Sequence, residues 1–252
     1  HNVVAAVDCP YNPRPKAYGG VCLSELRAII FDCDGVIADT EPVHYAAFAR
    51  ALSEHGVSLS RQEYYEHCLG YDDAGVFVHA FAHAGKQLGE QLWADLLQQK
   101  RRLYLKMIER DLAPLPGVQQ LARSAAQHWP LAINSGAIRS EVDLIVQRLG
   151  IEDCFSAIVT TEDVAAGKPD PEGYLLALER LREAAPLEPP LQAHECLVIE
   201  DSLPGIEAAH AADMRVLAVT TSHPAEQLGS VRAVVDSLES VDVEFCKRLF
   251  AQ

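Results

Sequence analysis

Leu26-Arg27-Ala28-Ile29-Ile30-Phe31 is a short, nearly all-apolar run that breaks into Asp32-Cys33-Asp34-Gly35 and resumes as Val36-Ile37-Ala38-Asp39-Thr40. The first part reads as a strand covered on both faces, the kind a parallel sheet requires. Two carboxylates stand two residues apart at its end, followed by a glycine that lets the chain turn sharply away. In an open α/β sheet such strand ends line the crevice where ligands bind.

From Glu41 to about Asp111 the pattern is almost wholly helical. Residues 41–55, 60–68, 72–85 and 90–110 each repeat apolar side chains every three or four positions, the last with Leu92, Leu96, Leu103 and Met107 on one stripe. Pro42 suits a first helical turn, with Thr40 or Asp39 as cap candidates. After Pro114-Leu115-Pro116-Gly117 the rhythm changes to strand and helix in alternation. Strands are expected at 131–134, 157–160, 196–199, 216–220 and 233–235. Helices are expected at 118–127, 138–149, 171–185 and 204–212, with a terminal one around 238–249. The implied fold class is α/β: a doubly wound parallel sheet, a Rossmann-like core, with an inserted small α-helical cap domain. The core is assigned to 26–40 plus 112–252 and the cap to 41–111, while the proline-broken 1–25 is irregular.

Composition removes several functions. The 36 acidic residues against 21 Lys plus Arg give a formal charge of -15, which opposes a surface built to neutralise nucleic acid. No apolar run approaches the roughly 20 residues of a spanning helix, so no membrane partner is expected. Seven cysteines without a C-x-x-C pair read as free thiols, placing the chain in the cytoplasm or another reducing soluble compartment. No coiled-coil or exposed-strand signal argues for a large assembly, so a monomer or weak homodimer is expected.

Polar islands follow several strands: Asp32/Asp34, Ser135, Lys168 and Glu200/Asp201. Gathered at one crevice, four carboxylates repel one another unless a cation joins them. Hard oxygen donors without a His/Cys cluster suit Mg²⁺ over Zn²⁺. Lys168, Ser135 and strand-end N–H groups suit a phosphoryl group beside that ion. The expected partner is therefore a small phosphorylated metabolite.

These motifs resemble those of the haloacid-dehalogenase-like hydrolase superfamily. Ile30-Phe31-Asp32-Cys33-Asp34-Gly35-Val36-Ile37-Ala38-Asp39-Thr40-Glu41 is similar to its first motif and Leu131-Ala132-Ile133-Asn134-Ser135-Gly136 to its second. Gly167-Lys168-Pro169-Asp170-Pro171 resembles the third, and Val198-Ile199-Glu200-Asp201-Ser202 with Gly205-Ile206 the fourth. The helical insert resembles the cap of the subgroup containing beta-phosphoglucomutase and the CbbY-like phosphatases. The resemblance implies Asp32 as nucleophile and Asp34 as general acid and base. It implies Mg²⁺ held by Asp32, the Asp34 carbonyl and Asp201, with Glu200 direct or through water. Ser135 and Lys168 would contact the phosphoryl group, with the N–H groups of Cys33, Asp34 and Gly136 as further donors.

Local alternatives stand beside these roles. Ser135 also suits capping of a helix beginning near Ala137, and Ser202 suits either a cap or support of the metal pair. Asp39, Asp163 and Asp170 read as turn- or cap-forming. In the insert, Thr40, His44 and the loop Gly70, Tyr71 and Asp72 are candidate substrate contacts; His44 also reads as an orienting or surface group. Alignment on Gly70 puts Asp73 where the mutase carries an arginine, and an acid there disfavours a second phosphate. A phosphatase is thus expected, with a phosphomutase and a non-catalytic binding protein as alternatives. Asp34 and the Glu200/Asp201 pair oppose a dehalogenase.

Overall fold

The computed structural model describes residues 25–68 and 73–251, so the expectations for Gly70, Tyr71 and Asp72, and the thiols Cys9 and Cys22, lie outside the described residues. The chain folds as two compact units, one drawn from residues up to Asp39 and from Ala113 onward, the other Thr40–Leu112. Among the described residues no helix is long and apolar enough to cross a membrane.

The Thr40–Leu112 unit contains α1 (Glu41–Ser53), α2 (Arg61–Glu63), α3 (Asp73–His83) and α4 (Glu90–Asp111). Pro42 sits in the first turn of α1; Thr40 holds the N-cap position, but its side chain makes no cap bond. The helix expected over 60–68 is α-helical only across α2, where Ser60 Oγ accepts from the Glu63 N–H at 3.1 Å. The chain then widens into a π turn over Tyr64–Cys68. Phe48 and Phe77 meet edge to face with centroids 5.2 Å apart, inside a cluster that includes Leu52, Tyr64 and Leu96.

The deepest row of α4 is Leu96, Lys100, Tyr104 and Ile108, spaced by four, each at most 2% exposed. The expected stripe residues Leu92, Leu103 and Met107 only flank it, half-buried. Lys100 occupies an apolar row because its charge is matched inside the unit. Its Nζ donates to both Asp73 oxygens at 2.7 and 2.9 Å and lies over the rings of Phe48 and Tyr104, at 4.6 and 4.9 Å from their centroids.

The other unit is built on six parallel strands: β1 (Ala28–Phe31), β2 (Leu131–Asn134), β3 (Ala157–Val159), β4 (Cys196–Glu200), β5 (Arg215–Val219) and β6 (Ala233–Val235). Their order is β3-β2-β1-β4-β5-β6. Its helices are α5 (Val118–Ala125), α6 (Arg139–Leu149), α7 (Glu172–Ala184), α8 (Leu203–Ala211) and α9 (Val243–Arg248). Ala28, Ile30, Ala132 and Val198 pack with Tyr174 and Leu178 of α7 and Ala209 of α8. Ile29, Phe31, Ile133 and Ile199 alternate with them onto the opposite face and are equally unexposed, so both faces are covered. That two-sided burial is why these strands read as continuous apolar runs.

The terminal helix expected around 238–249 is divided. A 3₁₀ turn spans Leu238–Ser240, and Asp242 starts α9 afresh by accepting from the Phe245 N–H at 2.6 Å. A carboxylate at the N-cap satisfies a donor that a continuous helix would have bonded internally.

Candidate active site

Strand β1 lies between β2 and β4, with Phe31 in register with both Ile133 and Ile199. That register delivers Asp32, Ser135 and the Glu200/Asp201 pair to the same carboxyl edge of the sheet. The Asp32 N–H donates to the Ile199 carbonyl at 2.9 Å, anchoring the first residue beyond β1. The Cys33 carbonyl then accepts from the N–H groups of Val36, Ile37 and Ala38, folding the chain back in a tight loop. Gly35 adopts φ +81°, and a Cβ there would overlap the Asp201 carboxylate.

Lys168, from the loop before α7, joins the two sides of this edge. Its Nζ donates to Asp32 Oδ1 and to Glu200 Oε1, the latter at 2.6 Å. Glu200 is fully buried, and its other contacts account for its ionised state. Tyr174 OH donates to Oε1 at 3.1 Å, while Oε2 accepts from the N–H groups of Asp201 and Ser202 and from Ser202 Oγ at 2.8, 2.8 and 2.9 Å. Ser202 also caps α8, accepting from the Gly205 N–H at 3.1 Å, so it fills both roles its position suggested. Asp201 Oδ2 accepts from Ser222 Oγ.

The electrostatics follow from burial. Desolvation pushes the Asp32 pKa well up; Lys168 opposes this, and the charges of Glu200, Asp201 and Asp34 reinforce it. Asp201 is raised to about 7, by burial first and by its neighbours Glu200 and Asp34. Burial would also raise Glu200, but Lys168 and the Ser202 donors outweigh it and hold that carboxyl below its usual range. For Lys168, the charges of Asp32 and Glu200 overcome desolvation, so the ammonium keeps its proton.

The residues fit a hard divalent cation. Asp32, Glu200 and Asp201 are buried and bring one carboxylate oxygen each within 4.8 Å of the others. Lys168 is bonded to two of the three, so a single ammonium faces several carboxylates. Oxygen donors of this kind suit Mg²⁺, which neutralises the excess charge without needing nitrogen or sulfur ligands.

The remaining candidates on the edge are differently disposed. Asp34 is half-buried, and Ser135 Oγ donates to its Oδ2 at 3.4 Å while accepting from the Ala137 N–H at 3.0 Å. Ser135 does not cap α6, whose N-cap is Ile138 without a side-chain bond; its hydroxyl instead orders the turn before that helix and faces Asp34. Ser135, Gly136 and Lys168 line a narrow hollow of about 20 Å³ with Asn134, Gly167 and Gly173. The Cys33 thiol is fully buried and kept neutral by desolvation and by Asp34, so its backbone N–H is the group it offers. Asp163 is structural: it accepts from the Thr160 N–H and hydroxyl at 2.9 Å each and from Arg180 at 2.6 Å. Those bonds, Arg180's foremost, hold its pKa near 2. Asp170 Oδ1 accepts from the Glu172 N–H at 2.9 Å at the start of α7.

Within the helical unit, His44 stacks on Tyr104 with centroids 4.1 Å apart, and its Nδ1 lies 2.9 Å from Lys100 Nζ. Burial and the Lys100 charge push its pKa down to about 3. The ring is therefore neutral, with Nδ1 accepting and the proton on Nε2. Asp73 is matched within the unit: Lys100, 27 residues away, neutralises it. Thr40 is buried beside the same helix start.

Sequence reasoning missed Tyr174, Ser222 and Lys100. Ser222 had a signal, since Thr220-Thr221-Ser222 is another polar island after a strand. Tyr174 and Lys100 had none, because each lies on an apolar helical face where its polar tip is indistinguishable from packing.

A profile of the haloacid dehalogenase-like hydrolase family matches residues 29–219. A "Phosphorylated carbohydrates phosphatase" of Thermotoga maritima is 30% identical over 189 residues, covering 74% of this chain and 82% of its own length. A "Beta-phosphoglucomutase" of Bacillus subtilis is 31% identical over 213 residues, covering 79% and 85%. The crystal structure of CbbY from Rhodobacter sphaeroides in complex with phosphate superposes with a TM-score of 0.73 at 25% identity, covering 85% of this chain and 96% of that one. With the family profile spanning most of the chain and its motif residues meeting at one sheet edge, the chain belongs to the haloacid dehalogenase-like hydrolase family.

Proposed function

We propose that this protein is a Mg²⁺-dependent phosphatase of small phosphorylated metabolites, sugar phosphates foremost, that works through an aspartyl-phosphate. The observation that carries this reading is the meeting of Asp32, Glu200 and Asp201 from two strands, with Lys168 bonded to the first two. The phosphatase name of the Thermotoga maritima relative supports the substrate class.

In this reading, Lys168 fixes Asp32 through Oδ1, and the Asp32 carboxylate attacks phosphorus as the bond to the leaving alcohol breaks. Asp34, half-buried and able to reach incoming ligand, gives its proton to the alcohol oxygen. It then takes a proton from the water that attacks the aspartyl-phosphate, which releases inorganic phosphate and restores Asp32. Ser135 and the backbone N–H groups of Cys33 and Gly136 hold phosphoryl oxygens, the donors an anion requires. Asp32, Asp201 and the Asp34 carbonyl would hold Mg²⁺, which would neutralise charge on the phosphoryl group. Glu200, whose oxygens are taken by Lys168, Tyr174, Asp201 and Ser202, acts as a positioning residue for the lysine.

A second reading, phosphomutase, is favoured by the similarity to the Bacillus subtilis protein. Against it, Lys100, the buried cation among the described residues of the helical unit, has its charge already matched by Asp73 and is not free to take a second phosphate. A phosphate-release screen over phosphorylated metabolites, with Mg²⁺ and with chelator, tests the proposal. Release that needs Mg²⁺ and vanishes in Asp32→Asn is expected. Absence of release, with rapid interconversion of hexose 1- and 6-phosphates, would reverse the ranking in favour of the mutase.

A further inference from the structure

A second group of metal-type donors stands in the helical unit, with a chemistry unlike that of the sheet edge. His79 and His83 are four residues apart on α3, which puts their rings on one face of the helix. Both face the same atom, Glu63 Oε1: His79 Nε2 lies 3.3 Å from it and His83 Nδ1 3.4 Å. All three donor atoms fall within 4.8 Å of one another. Glu63 Oε1 is buried yet has no hydrogen-bond partner among the described residues, so the approach of two imidazoles has ion-pair distance without hydrogen-bond alignment. An unsatisfied buried carboxylate oxygen is costly and calls for a partner.

The spacing suggests what the partner is. Bonds of roughly 2.0–2.1 Å to imidazole nitrogen and carboxylate oxygen place tetrahedral donors about 3.3–3.4 Å apart. The two measured separations from Oε1 match that edge. Glu63 is held for the task from its backbone, since its N–H is capped by Ser60 while Oε1 faces the histidines. Cys68, at the end of the π turn that follows α2, does not join the donor atoms gathered within 4.8 Å, so the donor set is two nitrogens and an oxygen. Imidazole-rich sites select borderline transition ions over Mg²⁺. The His83 side chain is 66% exposed, which provides an entry path and room for the small ring rotation that closes the site.

We infer that Glu63, His79 and His83 form a binding site for a zinc-class divalent ion, separate in composition from the carboxylate centre, that ties α2 to α3. The open fourth position falls to water. An ion bound only by the folded chain also stabilises it by mass action.

The test is Zn²⁺ binding to the full chain in saturating Mg²⁺, by competition with a chromophoric chelator, with the thermal midpoint followed alongside. One Zn²⁺ per chain is expected, persisting in Asp201→Asn and weakened at least about 100-fold in both His83→Ala and His79→Ala, more than loss of an outer partner costs. Because His83 is exposed, His83→Ala keeps the metal-free midpoint of the parent and loses only the Zn²⁺-induced rise. No Mg²⁺-resistant site in the parent chain, equal affinity in His83→Ala, or loss of the site in Asp201→Asn would each overturn the inference.

Discussion

Two lysines among the described residues, Lys100 buried and Lys168 half-buried, are neutralised in opposite ways. Lys100, in the helical unit, meets the carboxylate of Asp73, a neutral His44 and the faces of Phe48 and Tyr104. Its surroundings balance one positive charge with one negative charge. Lys168, at the sheet edge, is bonded to Asp32 and Glu200, with Asp201 and Asp34 close enough to raise the Asp32 pKa. That site is over-supplied with negative charge. A closed ion pair holds structure together, whereas a centre with excess carboxylate is prepared for a further cation and for the ligand that the cation brings. The same side chain is thus a closed tie in one place and, in the proposed reading, a chemical tool in the other.

The contrast breaks most visibly at Asp32. Asp32→Asn removes the proposed nucleophile and should lower turnover at least about 1,000-fold, read in a steady-state phosphate assay, while leaving the thermal midpoint close to that of the parent. Lys168→Ala should follow at about 100-fold, or roughly 3 kcal/mol in the transition state. A variant that instead keeps full turnover and merely unfolds sooner would make Lys168 a second Lys100. Lys100→Ala is expected to do the reverse, costing about 1–2 kcal/mol in denaturant unfolding through the lost packing of the buried lysine stem, since the partly exposed Asp73 can turn to water. Replacing the pair together, Lys100→Met with Asp73→Ala, should recover most of that loss, because the row it occupies is apolar.

The smallest effect concerns Asp163, whose pKa of about 2 lies below its ordinary 3.8. Its bonds to Arg180 and Thr160 contribute stability that is fully present above pH 3.8 and is lost as pH falls toward 2. With this partly exposed pair discounted for solvent screening, Asp163→Asn should cost about 1 kcal/mol at neutral pH and nothing at the acid end, measured by unfolding across that range.

The sheet edge was legible because each part of it is local in sequence. An apolar run ended by a polar island marks a strand and its carboxyl end together, and Asp32, Ser135 and Glu200 all announce themselves this way. Leu131–Asn134 and Ala233–Val235 fall where the apolar runs placed them. The helical unit was less legible because its polar partners are distant. Lys100 looks like a solvated residue until Asp73 and His44, from other helices, are brought to it. His79 and His83 display metal-binding spacing on their own, but their meaning depends on Glu63, which precedes them on another helix. Division of the C-terminal helix at Asp242 was missed for the converse reason: its apolar spacing continues across the cap that interrupts it.

The carboxylates at the end of β4 occupy space that two glycines leave empty. A methyl group on residue 35 would collide with Asp201, and one on residue 205 would collide with Glu200. Neither glycine has a functional group to lose, yet alanine at either position should displace an acid from its post. A saturation library selected for activity should therefore tolerate change at many exposed positions while returning glycine at these two, a signature of chemistry that depends on atoms the chain omits.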